Sequence, residues 1–412
     1  MDRISCLASL QPTAKINLNE LPVDVLIIIF HYLDEKSLRT IAKVCHYFNE
    51  ISSSNEIWQK WMKTRIMTSS DHGLNMILCP KFKEQCRLSI KWRQGRRKEK
   101  TFTKFEKNYL PWLAYHQDEA ELYLAQGDAV KKYSSELWLK AGRLPVEKYD
   151  DNQTWASSTV VHEAADVCRF CLDDNLIITG GWHGKLSWAS LRDLHFITKH
   201  DAHSADVSDV GIVDDVIISG SRDHTVKIWK LSDNMEELGH LFTQDIGDNV
   251  LSIATNKFRR IFAVGSGGTG GTHPLQIRDI ESSTHLYNLG HSYKNGSGVL
   301  DCHFQSPNLL MSTGYDTYIR LWDIRTSYRE CVRSWEEPHD NTVYCVTSDC
   351  RYGFVSGSCR HGVTRLWDTR MKNCLQTFYL AGKVSSPVYS VRFTHTHLFA
   401  ALARRLVVLD FR

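Results

Sequence analysis

Gly220-Ser-Arg-Asp-His-Thr-Val-Lys-Ile-Trp229 is the stretch on which the reading of this chain turns. Just ahead of it, Ile217-Ile-Ser-Gly220 reads as a buried strand ending in glycine. Arg222-Asp-His224 is a tight polar turn, and Val226-Lys-Ile-Trp229 is a second strand whose side chains alternate between two faces. The unit recurs as Ser312-Thr-Gly-Tyr-Asp-Thr-Tyr-Ile-Arg-Leu-Trp-Asp323 and as Ser356-Gly-Ser-Cys-Arg-His-Gly-Val-Thr-Arg-Leu-Trp-Asp368. A repeat of this length in a β-rich region predicts a propeller built from stacked blades.

The Trp position serves as a ruler. Trp229, Trp322 and Trp367 fill it directly, Arg278 and Leu409 fill it by substitution, and Trp188 fills it with a register open by one residue. These slots lie 41, 49, 44, 45 and 42 residues apart. The longest gap contains the glycine run Gly265-Ser-Gly-Gly-Thr-Gly-Gly271, read as a lengthened turn, since no Lys-Ser/Thr or helix start follows it. With His203 near the repeat start, Asp223 in the turn and Trp-Asp at the repeat end, the unit resembles the WD repeat. Six blades follow directly. A seventh is weakly written in Leu122-Tyr-Leu-Ala-Gln-Gly-Asp-Ala-Val-Lys-Lys-Tyr133, which is similar to the closing segment from Leu398 to Leu409. The expected fold is an all-β seven-bladed WD-repeat β-propeller, with six blades as the alternative, behind a small all-α module and a helical linker. The sequence stops just after the third strand of its last blade, which would leave an open edge. Families of this kind borrow the missing strand from the N-terminal side, and Thr101-Phe-Thr-Lys-Phe-Glu106 is the candidate here.

At 412 residues the chain has room for one small and one large domain. Residues 1–100 carry 17 Lys/Arg against 10 Asp/Glu, a net +7, and the remainder carries 33 against 37, a net −4. The propeller is therefore not a general polyanion binder. Residues 1–16, expected to be flexible, contain no apolar core of a secretory signal, and Val25-Leu-Ile-Ile-Ile-Phe30 is too short to span a membrane. The 12 cysteines are accordingly expected as reduced thiols. Cys168 and Cys171 share C-x-x-C spacing but sit on a strand, facing opposite ways, so buried thiols are expected and no metal site or cofactor.

Residues 17–65 form the second module. Leu21-Pro22 opens a helix bearing Val25, Leu26, Ile29, Phe30 and Leu33. Ser37 is expected to cap a helix with Leu38, Ile41, Cys45 and Phe48, and Asn55 a third with Trp58, Trp61 and Met62. Three short helices make a very small core, and their apolar positions exceed what they can cover among themselves, which points to a partner. Leu21-Pro22, Leu33-Asp34, Leu38, Ala42, Val44-Cys45, Phe48 and Trp58 resemble the F-box. That resemblance implies docking onto the Skp-type adaptor of a cullin-based ubiquitin ligase, through Leu21, Pro22, Leu26, Ile29, Phe30 and Leu33. Any of these six could instead serve the module's own core, and the sequence alone does not separate the two roles. Residues 66–100 read as a basic, solvated helical linker to a propeller at 101–412. Arg96-Arg-Lys98 within it offers a second reading as a nuclear-localisation patch or a contact for an acidic partner.

His203, Ser219 and Asp223 have the residue types of a hydrolase triad, yet the same types recur with the blades, with Ser312 and Asp316 in one and His339 and Ser356 in another. The WD resemblance implies a structural hydrogen-bond chain of His203, Ser219, Asp223 and Trp229 instead. No catalytic residue is expected. Partners of such propellers bind the face built by the turns and the starts of the blades. Relatives that read phosphorylated segments place arginines at two slots there. Arg222 matches one. The other, one residue after a Val, holds Cys168, Ser208, Leu251, Leu300, Tyr344 and Tyr389, without an arginine. One arginine is a thin phosphate site. Substrate contacts are expected from Trp182, Arg222, Tyr315, Tyr344, Arg360 and Tyr389.

Together the modules resemble the F-box/WD-repeat substrate receptors of SCF ubiquitin ligases. Gly314-Tyr-Asp-Thr-Tyr318, Trp335-Glu-Glu-Pro-His339 and Ser385-Ser-Pro-Val-Tyr389 add to that likeness. The resemblance implies a non-catalytic subunit, with cullin and RING subunits reached through the adaptor. A protein substrate, phosphorylated or not, would sit on the propeller, and the chain would act in the cytoplasm, the nucleus or both. No membrane or nucleic-acid partner is expected. The rival readings are an F-box scaffold working outside a ligase and a nucleic-acid binder using the basic linker.

Overall fold

In a computed structural model of the protein, the described residues are 17–67, 81–116, 119–135, 157–162, 165–173, 175–291, 293–326, 328–339, 341–382 and 384–412. They divide into a helical unit, residues 17–65 with 81–87, and a β unit holding the rest. The expectations for residues 1–16 lie outside the described residues.

The helical unit opens with a single 3-10 turn, Leu18–Glu20, followed by α1 (Val23–His31), α2 (Glu35–Ile41), α3 (His46–Ser52) and α4 (Asn55–Met62). Asp34, not Ser37, caps α2, accepting the Ser37 N–H at 2.9 Å. The helix expected to run through Leu38 and Phe48 is two helices. Cys45 is extended (φ −157°) and its sulfur accepts the Phe48 N–H at 3.4 Å, so the chain restarts there. Ser54 precedes α4, and the Asn55 side chain accepts the Phe82 N–H at 3.1 Å. The core gathers Leu26, Phe30, Leu38, Phe48, Ile57 and Trp58, with Phe30 and Phe48 edge to face at 5.8 Å. Trp58 donates its indole N–H to the Ser52 carbonyl at 2.7 Å, which satisfies the one polar atom of a fully buried ring.

A fifth helix, α5 (Phe82–Gln94), contributes Cys86 to this core, while Leu88 and Trp92 from its second half lie in the core of the β unit. This segment was expected as a solvated linker. Arg87 and Arg93 are exposed, but Lys83 and Lys91 are half-buried and Leu88, Ser89 and Trp92 are buried. Trp92 stacks on Phe411 at 3.7 Å and donates to the His395 carbonyl at 2.8 Å. Met67 is held next to it: Asp349 accepts its N–H at 2.6 Å, and His395 bonds its carbonyl at 3.0 Å.

The β unit is seven four-stranded antiparallel sheets whose innermost strands contact one another in a closed ring. The first blade runs Trp112–His116, Glu121–Gln126, Ala129–Ser134 and Ser157–Val160. In it Leu122 pairs with Tyr133, just as Leu398 pairs with Leu409 in the last blade. The last blade is Val388–Phe393, His397–Leu402 and Arg405–Asp410, closed by an outer strand from far upstream, Lys98–Lys104. The borrowed strand thus begins three residues before the expected Thr101, and Phe102 from it packs on Tyr133 in the seam between last and first blades.

The blade network is as the repeat implied where all four members occur. His203 Nε2 bonds Ser219 Oγ at 2.7 Å, His203 Nδ1 bonds Asp223 at 3.0 Å, and Trp229 donates to Ser219 at 2.8 Å. Burial holds the imidazole down to about 4, against the pull of Asp223, so it is neutral at pH 7. His162 makes an equivalent network with Ser187 and Thr179 that the sequence reading missed. Two corrections follow from register. Ala189, not Trp188, opposes Ile177 and holds the Trp slot in its blade, and the Trp188 indole donates to the Met235 carbonyl instead. His339 is exposed and outside the network, because a buried Arg365–Glu337 ion pair occupies the interior of that blade. Ser219 serves two nitrogens, His203 Nε2 and Trp229 Nε1, whereas Ser312 and Ser356 each receive one ring N–H, from a Trp at 2.9 Å. Ser219→Ala should therefore cost about 2–4 kcal/mol and Ser312→Ala about half of that, compared by urea unfolding.

Candidate functional site

Six of the seven inner strands carry a β-bulge at one recurring position. The register slips between Val167 and Arg169, Val207 and Asp209, Val250 and Ser252, Val299 and Asp301, Val343 and Cys345, and Val388 and Ser390. The extra residue is the one directly after the Val: Cys168, Ser208, Leu251, Leu300, Tyr344 or Tyr389. A bulge takes its residue out of the ladder and re-aims its side chain. All six line one cavity of about 330 Å3 at the mouth of the propeller, so the slot singled out from sequence is a structural feature of the ring.

Trp182, Arg222, Tyr315, Tyr344 and Tyr389, five of the six expected substrate contacts, line this cavity together. Tyr344 and Tyr389 stand side by side with ring centres 5.8 Å apart and planes 28° off parallel. Burial pushes both hydroxyls up, so they remain neutral donors and acceptors. Arg360 does not line the cavity; it lies exposed in a neighbouring turn, its carbonyl accepting from Ser358 at 3.4 Å.

The floor was not foreseen. Arg169 reaches Asp209 at 3.1 Å and Asp301 at 3.6 Å, donates to the Leu300 carbonyl at 2.8 Å, and lies over the Trp112 ring at 4.1 Å. Arg392 approaches Trp112 at 5.4 Å. Each aspartate also ties neighbouring blades together, Asp209 accepting the Ile253 N–H and Asp301 the Val346 N–H, both at 2.8 Å. Burial works against the Arg169 charge, but Asp209 and Asp301 beside it keep the guanidinium charged. Burial pushes the Asp301 carboxyl up to about 6, with Arg169 opposing. A buried cluster of this kind is costly to break, since removing one partner strands the others. A sequence signal existed: Arg169 follows the bulge slot where two other blades place Asp209 and Asp301. Cys168 lines the cavity with its thiol pushed up by burial to about 12, and Cys171 on the same strand is pushed up as well, so neither is a ready thiolate.

The six expected adaptor contacts divide. Leu26 and Phe30 are fully buried and belong to the helical core, the alternative left open for these six. Leu21 and Leu33 are half-buried against that core, while Pro22 and Ile29 are exposed. α1 carries two apolar stripes. One, Leu26 and Phe30 at i and i+4, turns inward; the other, Val25, Ile28, Ile29 and Tyr32, faces solvent. Ile28 is 60 % exposed and Tyr32 84 %, uncovered apolar surface of the kind the apolar excess implied.

The family model described as F-box-like matches residues 18–61, and the WD domain, G-beta repeat model matches residues 194–230 and 283–323. The chain is 36 % identical to mouse F-box/WD repeat-containing protein 4 (dactylin) over 396 residues, covering 95 % of this chain and 93 % of that protein. It is 35 % identical to the human protein of the same name over 406 residues, covering 98 % and 95 %. The WD40 repeats of RRP9 superpose with a TM-score of 0.59 at 16 % identity, over 76 % of this chain and 97 % of that one. The propeller domain of Doa1 gives 0.56 at 17 %, over the same shares, and both likenesses speak to fold alone.

Proposed function

Because this chain belongs to the F-box/WD-repeat proteins, we propose that it is the substrate-recognition subunit of an SCF-type cullin–RING ubiquitin ligase. The F-box docks the Skp-type adaptor through the exposed α1 stripe, and the propeller captures a protein substrate at its mouth. The observation that carries this reading is the pairing, on one chain, of an uncovered apolar helix face with an aromatic cavity. The work of such a subunit is tethering. Holding the substrate and the charged ubiquitin carrier in one assembly raises the effective concentration of substrate lysines without chemistry by the receptor. Affinity purification of the intact chain, scored for the adaptor and for cullin, tests the reading. Both should co-purify. Adaptor recovered without cullin would replace the ligase reading with that of a scaffold.

A further inference from the structure

The walls of the mouth cavity say what kind of group it accepts. Its volume of about 330 Å3 is at the lower end of the roughly 300–1,000 Å3 found for ligand cavities, room for one or two side chains. Trp112, Trp182, Tyr315, Tyr344, Leu251 and Leu300 are among the residues that line it. Three charged residues also line it, and none holds its charge in reserve for a ligand at depth. Arg169 is occupied by Asp209, Asp301 and the Leu300 carbonyl. Arg222 stands at the rim, 61 % exposed, with Asp206 3.9 Å away. An anion entering the cavity would meet Arg169 already paired with two carboxylates, and Arg222 solvated at the rim, where salt screens the contact. A cation would meet the Arg169 guanidinium over Trp112 on the floor, and the lining carboxylate, Asp206, stands beside Arg222. What the cavity offers is the burial of apolar surface among rigid aromatic rings.

We propose that the cavity is a socket for one bulky uncharged side chain, aromatic or branched aliphatic, presented by an unmodified segment of the protein substrate. The proposal rests on the reading of the propeller as the substrate-capturing part. It departs from the phosphate-reading arrangement in that the slots after each Val hold Cys168, Ser208, Leu251, Leu300, Tyr344 and Tyr389 at the positions where arginines would be needed.

The test is selection of a random linear-peptide display library on the purified full-length chain, followed by affinity measurement of the enriched sequences as synthetic peptides, unmodified and serine-phosphorylated. Enriched peptides should share a Trp, Phe, Tyr, Leu or Ile at a fixed position, and alanine there should weaken binding at least tenfold. Tyr344→Ala and Leu251→Asp should each weaken it at least tenfold. Tyr344→Phe and Arg222→Ala should change it less than threefold. Matching melting curves for the variants establish that the fold is intact. Three results would overturn the proposal: enrichment of acidic peptides lacking an apolar anchor, binding that needs phosphoserine and falls tenfold with Arg222→Ala, or no enrichment above blank resin. If adaptor and cullin co-purify while selection fails, the socket falls and the receptor reading stands. If selection succeeds and they do not co-purify, the reverse holds.

Discussion

A chain that begins at residue 112 should fail to hold the propeller, although every strand contributed by the seven sequential repeats would still be present. Such a fragment lacks the strand Lys98–Lys104, whose pairing runs from Lys98 opposite Asp410 to Lys104 opposite Arg405. The strand Arg405–Asp410 would be left as an unpaired edge, and an exposed edge of apolar residues invites association with other chains. The loss goes beyond backbone bonds. Phe102 and Phe105 pack in the seam between the last and first blades, and Trp92 fills the outer side of the last blade against Phe411. Truncating a buried Phe or Trp to alanine costs about 3–5 kcal/mol. Losing three such rings together approaches the whole 5–15 kcal/mol by which a typical domain is stable. The fragment should be recovered in aggregates, with no cooperative transition by circular dichroism. In the intact chain, Trp92→Ala alone should lower the melting temperature by roughly 10 °C. A 112–412 fragment melting like the intact chain would show that closure comes from elsewhere.

On the helical unit, Ile28→Asp should abolish capture of the Skp-type adaptor while leaving the melting curve unchanged, and Leu26→Asp should unfold the unit. The two residues are neighbours on α1 and equally apolar, but Ile28 is 60 % exposed and Leu26 is fully buried among Phe30, Phe48 and Trp58. A carboxylate at residue 26 would have to shed its water without a partner, which no core of this size can absorb. A carboxylate at residue 28 stays hydrated in the free protein. Its cost appears only when a partner tries to cover it, and at the centre of an interface it should exceed about 2 kcal/mol, or roughly 30-fold in affinity. Calorimetric titration with the purified adaptor separates the two effects. Equal binding by Ile28→Asp and the unmodified chain would remove this face from the account.

The blades were legible because their ruler repeats: Trp229, Trp322 and Trp367 donate to Ser219, Ser312 and Ser356 in the same register, so one reading serves all three. The seventh blade was legible from its likeness to the last, through the shared Leu122–Tyr133 and Leu398–Leu409 pairs. Legibility failed where a slot held a residue without a signature, as with Ala189 beside the more conspicuous Trp188. It failed again at α1, since two apolar stripes on one short helix give overlapping periodicities and only packing decides which turns inward. Tyr344 and Tyr389 reach the cavity because the residue after each Val is displaced by a bulge, and Trp182, Arg222 and Tyr315 reach it because each directly follows the second strand of its blade, two local events the repeat preserves. Arg169 went unread because its meaning depends on Asp209 and Asp301 at the same place in other blades, a signal that appears only when the repeats are compared at that position.

Adaptor docking and substrate capture are two separable activities of one chain, and one measurement addresses both. The intact chain, an Ile28→Asp/Ile29→Asp form and a Tyr344→Ala/Tyr389→Ala form would be purified from cells in parallel and scored for adaptor, cullin and ubiquitin conjugates on the bound proteins. The first lesion should remove adaptor, cullin and conjugates while the proteins held by the propeller accumulate. The second should keep adaptor and cullin and lose those bound proteins. Conjugates that persist at the intact level in both forms would contradict the receptor account.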